Sequence, residues 1–117
     1  MSRSEIHGVI AVDKPPGVTS RRVVDKVSRA LSTKAVGHAG TLDPLASGVV
    51  IVCVGHARKL VDFIHQQTKS YSVSFLLGRS SPSDDFETEI SLESDPHRPS
   101  IAQIEGALQA QRGTIMQ

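Results

Sequence analysis

Gly37-His38-Ala39-Gly40-Thr41-Leu42-Asp43-Pro44-Leu45-Ala46-Ser47-Gly48 runs directly into Val49-Val50-Ile51-Val52-Cys53-Val54, and the chain is organised around this junction. The second part is an unbroken apolar run rich in β-branched residues, which predicts a buried strand. The first part holds three glycines, one proline, one histidine and one carboxylate in twelve residues. A glycine-punctuated loop feeding a core strand can hold one polar side chain rigidly, and here that side chain is Asp43. Pro44 confines Asp43 to extended backbone and removes the donor at the next position. Taken alone, an Asp-Pro pair is a common turn element whose carboxylate bonds a nearby amide.

The bulk properties bound the rest. A chain of 117 residues with 38% hydrophobic and 3% aromatic content suits one small domain with a modest core. The net charge of +1 conceals an asymmetry: residues 1–79 carry 11 Lys/Arg against 5 Asp/Glu, and residues 80–117 carry 2 against 7. A basic front half points to an anionic partner. Cys53 is the only cysteine, which excludes an intrachain disulfide and a cysteine cluster for zinc, and its place in the apolar run reads as a small buried hydrophobe. The histidines share no ligand spacing with one another or with Cys53, so no metal is expected. No signal-peptide core and no apolar run of spanning length is present, so the expectation is a cytoplasmic protein without a membrane segment.

In chain order, Gly8–Asp13 reads as a short strand closed by the turn Lys14-Pro15-Pro16-Gly17. Thr19 or Ser20 can cap the helix that follows. Val23, Val24, Val27, Ala30 and Leu31 share one side of that helix. Arg22, Lys26 and Arg29 cluster on the other, with Arg21 at its margin. Only Asp25 offsets these cations and the nearby Lys34, so the face is either solvated or a surface for phosphates. A second helix is expected from about His56, with Ala57, Leu60, Val61 and Ile64 as its apolar stripe. Lys69–Gly78 alternates Tyr71, Val73, Phe75 and Leu77 with Ser72 and Ser74, which predicts a half-buried strand. Ser80–Pro99 reads as a loop or hairpin, and Ser100-Ile101-Ala102-Gln103 as a capping box opening a helix with Ile101, Ile104 and Leu108 on one face. The class is α+β: a mixed, largely antiparallel sheet flanked by helices.

The loop around Asp43 resembles the catalytic motif of the TruB family of tRNA pseudouridine synthases, Gly-His-x-Gly-Thr-Leu-Asp-Pro-x-Ala-x-Gly, at every fixed position. Lys14-Pro15 with Gly17, Thr19 and Ser20 resembles the family's first motif, Lys-Pro-x-Gly-x-(Thr/Ser)-Ser. Gly55–Leu60 resembles its Gly-x-Ala-Thr-Lys-Leu, with Arg58 in place of Thr. Lys69-Ser70-Tyr71 matches its Lys-x-Tyr, while Ser80–Asp85 only loosely echoes an acidic family pattern, so the resemblance assigns no role to Asp84 or Asp85. The resemblance implies that Asp43 is the catalytic carboxylate and that Tyr71 lies against the target base. It places His38 near the RNA, with Gly40, Thr41 and Leu42 in the same substrate-binding loop. A mainly structural role is implied for the Lys14 motif, although a solvated turn lysine is the alternative.

The partner implied is tRNA at its T-arm, with uridine 55 isomerised to pseudouridine. No cofactor is implied, because the reaction needs neither redox change nor phosphate energy. Residues 1–117 correspond to the N-terminal portion of the family's catalytic domain. The second half of that domain and the C-terminal RNA-binding PUA domain are absent from the sequence, and the complete protein is expected to be a monomer. The family supplies a cationic partner for the catalytic aspartate from that second half. Lys14, Arg58 and Lys69 are cations within this chain, but nothing in their spacing aims them at Asp43. The 117 residues alone are therefore expected to bind tRNA weakly and not to turn over. Two other readings remain in sequence terms. A phosphate-binding hydrolase lacks its Walker Gly-Lys-(Ser/Thr) ending. A truncated, non-catalytic RNA-binding module would keep the basic helix.

Overall fold

A computed structural model describes residues 5–116 of the chain, which divide into two units, one up to Tyr71 and one from Ser72 onward. In the first, strands β1 (Gly8–Lys14), β2 (Val36–Ala39) and β3 (Gly48–Val54) form a sheet in the order β1-β3-β2. Both pairings are antiparallel: Gly8 stands opposite Val54 and Lys14 opposite Gly48, while Val36 faces Val54 and Ala39 faces Ile51. The apolar run is thus the central strand. With a side-chain period of two, Val50, Val52 and Val54 share a face. They are buried together with Val23 of helix α1 (Ser20–Ala30), and Val12, Val27, Leu31, Val36 and Leu42 pack around them. Each such valine contributes about 1.5–3 kcal/mol by leaving water. Cys53, between them in sequence, is also fully buried, and that burial pushes its thiol pKa up.

Helix α1 begins as its sequence demands. Thr19, in extended backbone, accepts the Arg22 amide on Oγ1 at 3.1 Å, so Thr19 rather than Ser20 is the cap. Its apolar stripe meets the sheet through Val23 and Val24, and its cations face outward.

The helix expected from His56 forms in two parts, a 3-10 helix at Gly55–Leu60 and a short α-helix, α2 (Val61–His65). Ala57, Val61 and Ile64 are half-buried as the stripe requires, but Leu60 is 45% exposed. The opening amides here are engaged elsewhere, Gly55 N donating to Ala35 O at 2.7 Å and His56 N to His7 Nδ1 at 3.0 Å.

The half-buried strand expected over Lys69–Gly78 does not form. Tyr71, Val73, Phe75, Leu76 and Leu77 are exposed and carry no ladder bonds. Alternation selects the face a strand would bury, but a strand also needs a partner, and none of the described residues pairs with this segment. In the second unit, β4 (Arg79–Ser80) and β5 (Ser91–Leu92) pair antiparallel as a minimal hairpin within the stretch read as loop or hairpin. Helix α3 (Ile101–Ala110) starts with the full capping box: Ser100 Oγ accepts Gln103 N at 3.2 Å, and Gln103 Oε1 accepts Ser100 N at 2.8 Å. The expected apolar face of this helix is present but open, Ile101, Ile104 and Leu108 all being exposed. The chain is α+β, and every strand pair among the described residues is antiparallel. No helix among them is long and apolar enough to cross a membrane.

Candidate active site

Asp43 lies in the connection between β2 and β3, and both of its neighbours are held by side chains from distant positions. On the N-terminal side, Ser20 is buried and uses its hydroxyl twice on Leu42, accepting the Leu42 amide at 2.9 Å and donating to the Leu42 carbonyl at 3.2 Å. On the C-terminal side, the Pro44 carbonyl accepts Gly17 N at 2.7 Å and Lys14 Nζ at 3.1 Å. Lys14 is fully buried, and its ammonium also donates to the carbonyls of Val18 at 2.7 Å and Pro15 at 3.0 Å. The solvated alternative for Lys14 is therefore wrong. Its three donors meet three backbone oxygens, which is how a buried ammonium is satisfied. The Asp43 carbonyl accepts Ala46 N at 3.0 Å, closing the turn, while the Asp43 side chain is exposed and makes no hydrogen bond or ion pair among the described residues. A carboxylate on a backbone fixed at both flanks is presented to a ligand with little left to reorganise.

The other residues singled out by the sequence fall into two groups. His38 and Gly40 belong to the same construction, His38 Nδ1–H donating to the Gly40 carbonyl at 2.8 Å and leaving Nε2 unengaged. Leu42 is tied in by Ser20, and Thr41 is exposed beside it. By contrast, no hydrogen bond joins Tyr71 to this loop, and the residue is 66% exposed. Arg22, Lys26, Arg29 and Lys34 are all exposed. Asp25 is spent on Arg21, its Oδ1 lying 3.4 Å from Arg21 Nε, and Arg29 Nε donates to the Asp25 carbonyl at 3.3 Å. Arg22 and Lys26 have no acidic partner among the described residues.

Two clusters lie elsewhere. Glu5, His7 and His56 bring one ligand-type atom each within 4.8 Å of one another, a grouping that residue spacing did not indicate. The imidazoles stack with centroids 4.1 Å apart. His7 Nδ1 accepts the His56 amide, so neutral His7 carries its proton on Nε2, which faces Glu5 Oε2 at 3.6 Å. A cation at this cluster would have to free a lone pair that the fold already uses. In the hairpin, Asp85 accepts Ser83 Oγ at 2.6 Å and Glu87 N at 2.8 Å, and the Ser83 bond leads the causes that lower its pKa. Asp85 thus organises its own turn.

The family model described as "TruB family pseudouridylate synthase (N terminal domain)" matches residues 28–117. The chain belongs to the TruB family. A tRNA pseudouridine synthase B from Cereibacter sphaeroides is 47% identical over 112 residues, spanning 96% of this chain and 37% of the relative. One from Ruegeria pomeroyi is 45% identical over 113 residues, spanning 97% and 37%. One from Syntrophotalea carbinolica is 44% identical over 91 residues, spanning 78% and 30%. The chain therefore spans about a third of the length of the TruB relatives it matches. A solved structure, "Structure of H/ACA RNP bound to a substrate RNA containing 2'-deoxyuridine", aligns with TM-score 0.46 at 46% identity over 48% of this chain and 18% of that one.

Proposed function

We propose that this chain forms the front part of a tRNA pseudouridine synthase and supplies its catalytic carboxylate, Asp43. The observation that carries this reading is the double clamp, Ser20 on Leu42 and Lys14 with Gly17 on Pro44, around a carboxylate left free of internal partners. The substrate in this reading is uridine 55 in the T-arm loop of tRNA. The reaction breaks the bond from ribose C1′ to uracil N1, turns the detached base and joins C1′ to C5. The proton displaced from C5 is lost and one is gained at N1, so the change is an isomerisation that consumes nothing. An ionised Asp43 serves as nucleophile toward the sugar or the base, or as the base that removes the ribose 2′ proton. The uridine must leave the folded T-arm to be reached, and Tyr71 offers an exposed ring on which it can stack. His38 contributes its unengaged Nε2 to an RNA hydroxyl or phosphate.

The test is to join this chain to the remaining two thirds of the Ruegeria pomeroyi relative and to incubate the product with a tRNA transcript carrying tritium at uridine C5. Tritium release, with the new pseudouridine mapped to position 55, is the expected result. A folded chimaera that binds the transcript and releases no tritium would leave only a non-catalytic RNA-binding module.

The basic face of α1 has its own test. In this reading Arg22, Lys26 and Arg29 meet phosphates. Replacing any one by Gln should lower tRNA affinity and flatten the dependence of log affinity on log salt by roughly 0.7–0.9. A slope unchanged in all three variants would make the face merely solvated.

A further inference from the structure

Gly40 has φ at +92°, and a Cβ placed on it would lie 2.9 Å from Lys69 Nζ and 3.7 Å from Lys69 Cε. The Lys69 ammonium therefore lies beside the loop backbone at Gly40. That point is well defined by its neighbours: the Gly40 carbonyl holds His38 Nδ1, and Asp43 follows three residues later. Lys69 is exposed and has no hydrogen bond or ion pair among the described residues. An ammonium laid on a catalytic loop with no acidic partner is a charge awaiting an external anion.

From this placement we infer that Lys69 is a phosphate-binding residue, receiving the RNA backbone phosphate next to the uridine on which Asp43 acts. The inference rests on the proposed function and adds a residue to it. Its physical basis is the sign of the charges. An RNA strand is anionic and so is Asp43, and bringing a phosphate near a carboxylate is repulsive unless a cation stands between them. The cations of α1 are on another element, whereas the Lys69 ammonium, carried on the segment that follows α2, reaches the loop at Gly40. When a base leaves its stack, its phosphates remain at the mouth of the site, where a lysine acts as a point charge with three donors.

The experiment measures binding of the 117-residue chain to a 17-nucleotide T-arm hairpin by fluorescence anisotropy from low to moderate KCl. Lys69→Gln should weaken binding roughly 3- to 10-fold at low salt and reduce the salt slope by roughly 0.7–0.9. Lys69→Arg, which keeps the charge, should restore both, and neither variant should move the melting temperature. A Lys69→Gln slope equal to that of the unsubstituted chain overturns the inference, as does binding by the unsubstituted chain that is insensitive to salt. A Gln loss that Arg does not restore, or that comes with a lower melting temperature, would make Lys69 a structural residue and also overturns it. Tritium release by the chimaera reports on the proposed function separately, so a flat Lys69 result with turnover intact removes this residue alone.

Discussion

Asp43→Asn, introduced into the family-length chimaera, is expected to abolish pseudouridine formation while tRNA binding persists. Asparagine matches aspartate in shape, and the bonds that shape this loop do not involve the carboxylate. They run from the Asp43 carbonyl to Ala46, from Leu42 to Ser20, and from Pro44 to Gly17 and Lys14. Stability should therefore change by no more than about 0.5 kcal/mol, as for other exposed positions without partners. What disappears is the ionised oxygen that attacks or removes a proton, and among the described residues no other acid is hydrogen-bonded into the loop to replace it. The rate should fall by roughly four orders of magnitude or more, with the loss in kcat rather than in binding. Tritium release under single-turnover conditions checks this. Release by the Asn variant above about 1% of the unsubstituted rate would take Asp43 out of its assigned role.

The sequence was legible where a residue's environment is local or where its type admits one environment. Val49–Val54 reads as a buried strand because a β-branched run without polar interruption has nowhere else to go, and β3 spans Gly48–Val54. Thr19 and Ser100 announce helix starts because a hydroxyl beside an apolar stripe has a nearby amide to satisfy. Lys69–Gly78 misled because alternation describes one strand, whereas a sheet requires two. The support of the Asp43 loop was hidden for another reason. Ser20 reaches Leu42 across 22 positions and Lys14 reaches Pro44 across 30, and a turn lysine in sequence looks the same whether solvated or buried. His7 and His56, 49 positions apart, meet only because the β1–β3 register sets Gly8 opposite Val54. Lys69 beside Gly40 left no trace in the sequence, because the two are 29 positions apart and neither residue's type points to the other.

Lys14→Met is expected to be the most destabilising single change in the first unit, and it should harm the site as well as the fold. Methionine nearly matches lysine in length and fits an apolar cavity, but it donates no hydrogen bonds. The Pro44 carbonyl would keep Gly17 N, whereas the carbonyls of Pro15 and Val18 would lose the Lys14 donor. An orphaned buried acceptor costs about 1–3 kcal/mol, and with Val18 half-buried and Pro15 exposed the two together cost roughly 1–4 kcal/mol. Relief from burying an ammonium offsets part of this, but replacing an ion by a hydrophobe comes out neutral only when its partners are replaced too, and backbone oxygens cannot be. Against the 5–15 kcal/mol typical of whole domains, such a loss leaves little in a unit this small. Urea unfolding should show a midpoint lower by roughly 1–3 M at unchanged slope. Lys14→Arg should not rescue it, because a planar guanidinium cannot direct its donors at three carbonyls grouped around one point. In the chimaera, below its unfolding transition, Lys14→Met should still lower kcat, because Pro44 would be held by Gly17 alone and Asp43 would lose half of its frame on that side. A midpoint within about 0.3 M of the unsubstituted chain would mean that these carbonyls find water or other donors, and Lys14 would then not be the brace of the loop.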